Sequence, residues 1–356
     1  MVISYNFAFL ALEVVINKFI FTLLFASVSI PTVFSSAALA DEVNVYSGRQ
    51  EALIKPLLDK FTARTGIEVN LVTGGSDALI SRLQSEGDLS PADLIIMADA
   101  GRLVRANKLG LTQAITDAAI LETVPQSFKA DNNHWLALTK RARPIMYRKG
   151  EVSPDSISKL AELTNAEWKN QVCIRSSSNI YNQSMTASLI LIQGEEATYE
   201  WASALVENFA RSPKGGDRDQ IKAVVAGECK LAVANTYYLG GMLSSADEET
   251  RSIAEQVGVI WPDQDGSGTH INISGAAITK YAQNTEQAQA LLSFMLEAES
   301  QQWYAEVNHE YPLLEGVQWS KELQSFGTFK AQDIDFEKMG ELNDEALRLM
   351  DRAGWR

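Results

Sequence analysis

The sequence predicts a two-lobed α/β fold, and three observations carry that expectation. Strand-like and helix-like segments alternate from Glu42 to Met97, the pattern of a doubly wound, mostly parallel sheet. The basic run Lys140-Arg141-Ala142-Arg143 breaks an otherwise acidic chain just after Trp135 and marks a first crossing into a second lobe. Two further extended runs, Val257 to Trp261 and Thr269 to Ser274, flank Pro262-Asp-Gln-Asp-Gly-Ser-Gly268 and mark the return. Two lobes joined by two crossings imply a cleft and a hinge. The expected extents are 41–140 with 266–316 for one lobe and 141–265 with 317–356 for the other.

Residues 1–40 read as a targeting leader. Lys18 precedes the apolar run Phe19 to Val33, and Ala38-Leu39-Ala40 is a small-x-small cleavage signal ahead of Asp41. A retained membrane anchor is the competing reading, and Ser27, Ser29 and Pro31 weigh against it. The chain is therefore expected to be exported and cleaved after Ala40, with no later apolar run near the roughly 20 residues that span a bilayer.

The elements follow in order. Glu42 to Tyr46 alternates as a strand. Leu53, Ile54, Leu57, Leu58 and Phe61 share one helical face, with Pro56 near the first turn and Gly66 at the C-cap position. Ile67 to Val72 is the next strand, and Gly74-Gly75-Ser76-Asp77 starts the helix carrying Leu79, Ile80 and Leu83. Asp93 to Met97 is apolar almost throughout, as a strand buried on both faces is. Beyond the first crossing, helices are expected near Ser156 to Leu163, Glu200 to Phe209 and Asp217 to Ala226. Three more close the chain, at Thr285 to Leu296, Ser300 to Val307 and Leu342 to Asp351.

A net charge of −14 argues against nucleic acid and anionic lipid as partners. Two cysteines in an exported chain, Cys173 and Cys229, favour a disulfide. Each stands eight residues before a tyrosine, Tyr181 and Tyr237, and Tyr238 follows directly. Pairing would fix two strand-to-loop segments side by side and bring three phenols to one place. A phenol keeps its proton to near pH 10 and is a poor ligand for most cations. A trivalent ion reverses this by stabilising the phenolate, and three phenolates balance the formal charge of ferric iron. Tandem aromatics at a strand end are otherwise packing residues. Successive strand residues face opposite ways, so both tyrosines reach one ion only in a turn beyond the strand.

Other polar groups could assist. Ser177 lies in Arg175-Ser-Ser-Ser-Asn179, a helix N-cap that can also hold an anion. Asn235 precedes the tandem tyrosines, and Arg141 or its neighbour Arg143 could donate to an anion. Gln50 and Glu51 occupy the first strand-to-helix loop, where open α/β sheets bind ligands, although Glu51 also suits a helix's first turn. Enzyme signals are weak. His134, His270 and His309 lack metal-ligand spacing, and there is no nucleophile elbow, phosphate loop or dinucleotide fingerprint.

The chain resembles the ferric-ion-binding periplasmic proteins, type II periplasmic binding proteins that serve iron(III) ABC importers. The resemblance rests on Val45-Tyr-Ser-Gly-Arg-Gln50, Ser90-Pro-Ala-Asp93, Arg141-Ala-Arg143, Cys173 through Gln183, Gly227-Glu-Cys229, Ala234-Asn-Thr-Tyr-Tyr238 and Trp261 through Gly275. It implies that Tyr237 and Tyr238 are iron ligands, with Tyr181 a third. The His-Tyr pair that some members place on the first loop is Gln50-Glu51 here. Members with Gln at that place use it with an arginine to hold a synergistic carbonate, which points to Gln50 and Arg141. The resemblance further implies a monomer with Fe(III) as cargo and an ABC permease as partner. A cleft that binds an organic anion or oxyanion without metal is the alternative.

Overall fold

The computed structural model describes residues 41–356; the expected leader and its cleavage site lie outside the described residues. Eleven strands follow in chain order: β1 (Glu42–Ser47), β2 (Glu68–Thr73), β3 (Leu94–Ala98), β4 (Thr112–Gln113), β5 (Leu136–Ala142), β6 (Ile145–Arg148), β7 (Val172–Cys173), β8 (Leu231–Val233), β9 (Val257–Ile260), β10 (Ile271–Thr279) and β11 (Tyr311–Pro312). They form two sheets. The larger runs β11-β5-β10-β3-β1-β2, with β4 also on β10, and the smaller runs β7-β8-β6-β9.

The first βαβ unit follows its sequence pattern. The helix Lys55–Thr65 places Pro56 in its first turn, buries Leu57, Leu58 and Phe61, and ends at Gly66 with φ of 79°, where a side chain would be strained. β3 is buried along nearly its whole length, which suits the centre of a sheet covered by helices on both faces.

β5 leaves the larger sheet at Ala142, and β6 enters the smaller one three residues later, at Ile145. β9 and β10 make the return, and the Arg143 amide donates to the His270 carbonyl at 3.0 Å where the crossings run together. These strands correct the expectation of mostly parallel sheets. β1–β2, β1–β3 and β7–β8 are parallel, but every pairing made by β10, β5 and β6 is antiparallel. A strand returning from the neighbouring sheet arrives without the crossover helix that parallel pairing requires. Gly275 sits at an irregularity in β10, where a Cβ would come within 2.4 Å of the Leu136 carbonyl oxygen.

Two helix expectations change. Ser156 to Leu163 forms short 3-10 turns, Pro154–Ser156 and Leu160–Thr164. Its apolar positions Ile157, Leu160 and Leu163 recur every three residues, the period of that helix. The helix Ala298–Trp303 passes into a π-turn, Tyr304–Asn308. The C-terminal tail touches helices beside both sheets, since Phe336–Glu341 packs on Ala100–Lys108 and Asn343–Arg352 on Ile180–Gln193. Among the described residues no helix is long and apolar enough to cross a membrane.

Candidate metal centre

β8 is buried throughout and ends at Val233, two residues before Asn235, the N-cap residue of the helix Thr236–Leu243. The tandem tyrosines therefore stand in the first turn of a helix, and no open turn follows the strand. Neighbours on a helix diverge by about 100°, which lets both rings face one side, with centroids 4.1 Å apart. Tyr181 is the second residue of the helix Ile180–Gln193, and its amide donates to the Asn179 side chain at 3.2 Å. The Tyr237 hydroxyl donates to the Tyr181 hydroxyl at 3.2 Å. Behind them, Cys173 and Cys229 form a disulfide, and β7 pairs in parallel with β8 beside it. Closing a loop of 56 residues contributes about 4 kcal/mol in the chain-entropy account.

Tyr237 and Tyr238 are held neutral. Loss of water, then the neighbouring Tyr181 and Tyr238 rings, pushes Tyr237 well above the usual tyrosine range. Tyr238 is raised by the same loss of water, with Tyr181 and Asp217 adding to it. Only a cation that gains more from the phenolates than the protons do can displace those protons.

Arg141 is the nearest fixed charge. Its guanidinium carbon lies 5.1 Å from the Tyr181 ring centroid and 6.0 Å from that of Tyr237. Nη2 donates to the Ile273 carbonyl at 2.6 Å, while the buried Nε and Nη1 have no partner. Burial opposes its charge, but Tyr181, Tyr237, Glu310 and Asp99 together hold it firmly protonated. Arg143 is a different case. It donates to Asp217 at 3.0 Å, Asn235 at 3.2 Å and Asn182 at 2.7 Å, and so fastens the smaller sheet to its helices. Arg143 keeps only its buried Nε without a partner, whereas Arg141 keeps both Nε and Nη1 and lines the cavity described below.

The larger sheet supplies the facing wall. Arg49 and Glu310, both buried, pair at 2.8 Å, and Thr139 also donates to Glu310. His309 has φ of 52°, a conformation costly for a side chain, and packs so close that a Cβ on Gly240 would come 2.7 Å from its own. Its Nε2 lies 2.9 Å from the Ser244 hydroxyl and its Nδ1 3.4 Å from that of Ser320. A cavity of about 220 Å3 is lined by Arg49, Gln50, Arg141, Tyr181, Arg218, Tyr237, Tyr238, His309 and Glu310. Among the described residues no cluster of three His, Cys, Asp or Glu could hold a metal, and the cavity lining includes three phenols.

Three expected residues lie elsewhere. The Ser177 hydroxyl donates to Asp351 at 2.8 Å, so it ties down the C-terminal helix and has no free donor for an anion. The Asn235 side-chain oxygen accepts from Arg143 at 3.2 Å and its backbone amide donates to Asp217 at 2.8 Å, and the residue is not among those lining the cavity. Glu51 is exposed in the turn Glu51–Leu53 and outside the cavity wall, while its neighbour Gln50 lines it. Arg49, Arg218, His309 and Glu310 went unassigned in the sequence. Only Arg49 stood in a distinctive motif, one residue before Gln50.

Residues 57–331 match the family described as bacterial extracellular solute-binding protein. The chain belongs to that family. Iron uptake protein A1 of Synechocystis is 45% identical over 315 residues, 88% of each chain. The structure of IdiA (FutA) from Trichodesmium, in complex with iron and citrate, superposes with a TM-score of 0.85 at 43% identity, over 88% of this chain and 100% of that one. The ferric binding protein of Campylobacter jejuni does so with a TM-score of 0.85 at 38% identity, over 88% and 100%. These neighbours share the two-lobed fold. As a solute-binding protein of this family, the chain is a binding protein and not an enzyme.

Proposed function

We propose that this protein captures ferric iron in the cleft through the phenolates of Tyr181, Tyr237 and Tyr238 and delivers it to the permease of an ABC importer. The observation that carries the reading is the meeting of three hard oxygen donors beside Arg141, two of whose buried nitrogens lack partners. Iron-binding relatives at 38–45% identity over nearly the whole folded chain support it. Three phenolates leave coordination positions open, and an anion held by Arg141 and Gln50 fills them; carbonate is small enough and carries the matching charge. The protein works in the periplasm as a monomer after loss of its leader at Ala40. Metal binding shifts the protein toward a closed form, because the ion with its anion binds that form better than the open one.

The spare donors of Arg141 also suit an organic anion bound without metal. Colour separates the two. The mature protein is mixed with ferric citrate and bicarbonate, freed of excess metal and examined in visible light. A retained broad band, lost in Tyr237→Phe, is the outcome expected of ferric tyrosinate. A colourless protein would overturn the ferric reading.

A further inference from the structure

Gly240 stands inside the helix Thr236–Leu243, two residues after Tyr238, and has no positive φ to require it. A glycine in a helix interior weakens the helix, so something else must hold it there. That something is His309. A Cβ on Gly240 would lie 2.7 Å from the His309 Cβ and 2.8 Å from its Cγ, closer than non-bonded atoms approach. His309 bears a cost of its own, with φ of 52°, a region uncommon outside glycine. Two local costs meet at one contact, and such places are where function is expected.

The two sides of that contact belong to different sheets. The helix Thr236–Leu243 follows β8 of the smaller sheet. His309 is fixed to the larger sheet and its first loop from both directions. The Asn308 side-chain amide donates to the Leu53 carbonyl at 3.0 Å, Glu310 pairs with Arg49 at 2.8 Å, and Tyr311 opens β11 against β5. The imidazole reaches across to the tyrosine helix, where its Nε2 lies 2.9 Å from the Ser244 hydroxyl. The Ser244 amide in turn donates to the Gly240 carbonyl at 3.0 Å. Nδ1 lies 3.4 Å from the hydroxyl of Ser320, the N-cap of the helix Lys321–Ser325, which packs on the same helix. Each ring nitrogen has one in-plane site, and a hydroxyl faces each of them.

We propose that His309 is the positioning residue on which the two lobes close, seated on Gly240 and latched to Ser244. In that seat it holds the first turn that carries Tyr237 and Tyr238 at a fixed distance from Arg49 and Gln50. Opening the lobes lifts the ring off the glycine and gives up the Ser244 bond. The contact exists only in the closed form, so it biases the equilibrium towards that form. It slows loss of the metal without touching it. This rests on the ferric-phenolate reading and the closure that goes with it.

The test loads the mature protein with ferric iron and bicarbonate, adds excess EDTA and follows decay of the visible band. Small-angle X-ray scattering of the loaded protein reports lobe separation, and urea unfolding is measured on the apo form. His309→Asn tolerates the left-handed backbone and is too short to reach Ser244. It is expected to release iron about tenfold faster than the wild type, with a larger radius of gyration, the same band wavelength and the same urea midpoint. Ser244→Ala keeps the seat and loses the bond, and should release iron about fivefold faster. Gly240→Ala wedges the lobes apart and should match His309→Asn, and the two combined should be no faster than either alone. Wild-type release rates in His309→Asn and Ser244→Ala, additive effects in the combined variant, or a shifted band would overturn the proposal. So would an equal loss of apo stability, which would make the contact ordinary packing. A wild type with no visible band at all would sink the ferric reading, and this one with it.

Discussion

The Tyr237 hydroxyl donates to the Tyr181 hydroxyl across 3.2 Å, joining the first turns of two helices through one proton. Neither phenol has a carboxylate to take that proton, so in the absence of metal the pair is a neutral hydrogen bond of modest worth, about 1 kcal/mol. Tyr181→Phe and Tyr237→Phe are therefore expected to change apo stability by no more than about 1 kcal/mol while abolishing iron retention. Urea unfolding and the visible band, measured on the same samples, check both halves. Loss of folding in either variant would mean that the phenols are packing residues.

Because Tyr237 and Tyr238 are held above the ordinary tyrosine range, binding as phenolates must expel protons at neutral pH. The sign follows directly. Protons compete with the metal, so affinity falls as pH drops and rises as pH climbs. Titration of lightly buffered protein with ferric iron should release close to three protons per ion from the tyrosines, beyond those from the anion and from metal hydrolysis. Each Tyr→Phe variant should release about one fewer.

Arg49 and Glu310 are buried and paired at 2.8 Å. Removing one partner of such a pair strands the other charge, which costs about 3–5 kcal/mol. Glu310→Gln and Arg49→Met are each expected to lower stability by that order. The double variant should lose less than the sum of the two, since neither charge remains. Urea midpoints at pH 7 give the comparison, and additive losses would show that the pair is not coupled.

How much of this was legible depended on sequence distance. Tyr181 and Tyr237 could be matched because both stand eight residues after a cysteine, and the disulfide makes that local spacing a spatial one. The basic run at the first crossing was visible, but Arg141 and Arg143 were not separable in sequence. They differ only in which neighbours claim their donors, Asp217, Asn182 and Asn235 for Arg143 alone. Ser177 looked like an anion donor because Asp351, the partner that occupies it, lies 174 residues away. Glu310 left no local trace, since it gains its meaning from Arg49 across 261 positions. The first-turn placement of Tyr237 and Tyr238 was obscured by a three-residue strand, too short for its end to be read from periodicity.

His270 carries the last prediction. It is 6% exposed where the crossings meet, with Nδ1 3.2 Å from the Gln332 side-chain oxygen. Burial lowers its pKa to about 3; the Gln332 contact opposes this, and the charges of Arg143 and Arg141 add to it. In the unfolded chain the same ring titrates near 6.5. Between those values the unfolded state binds a proton that the native state refuses, so stability is complete above about pH 6.5 and is lost as pH falls towards 3. The slope from this one group reaches at most about 1.4 kcal/mol per pH unit. His270→Asn removes the titrating ring, so its unfolding free energy should fall less steeply than that of the wild type between pH 6 and 4, whatever its stability at pH 7. Parallel curves for the two proteins would show that His270 is protonated inside the fold.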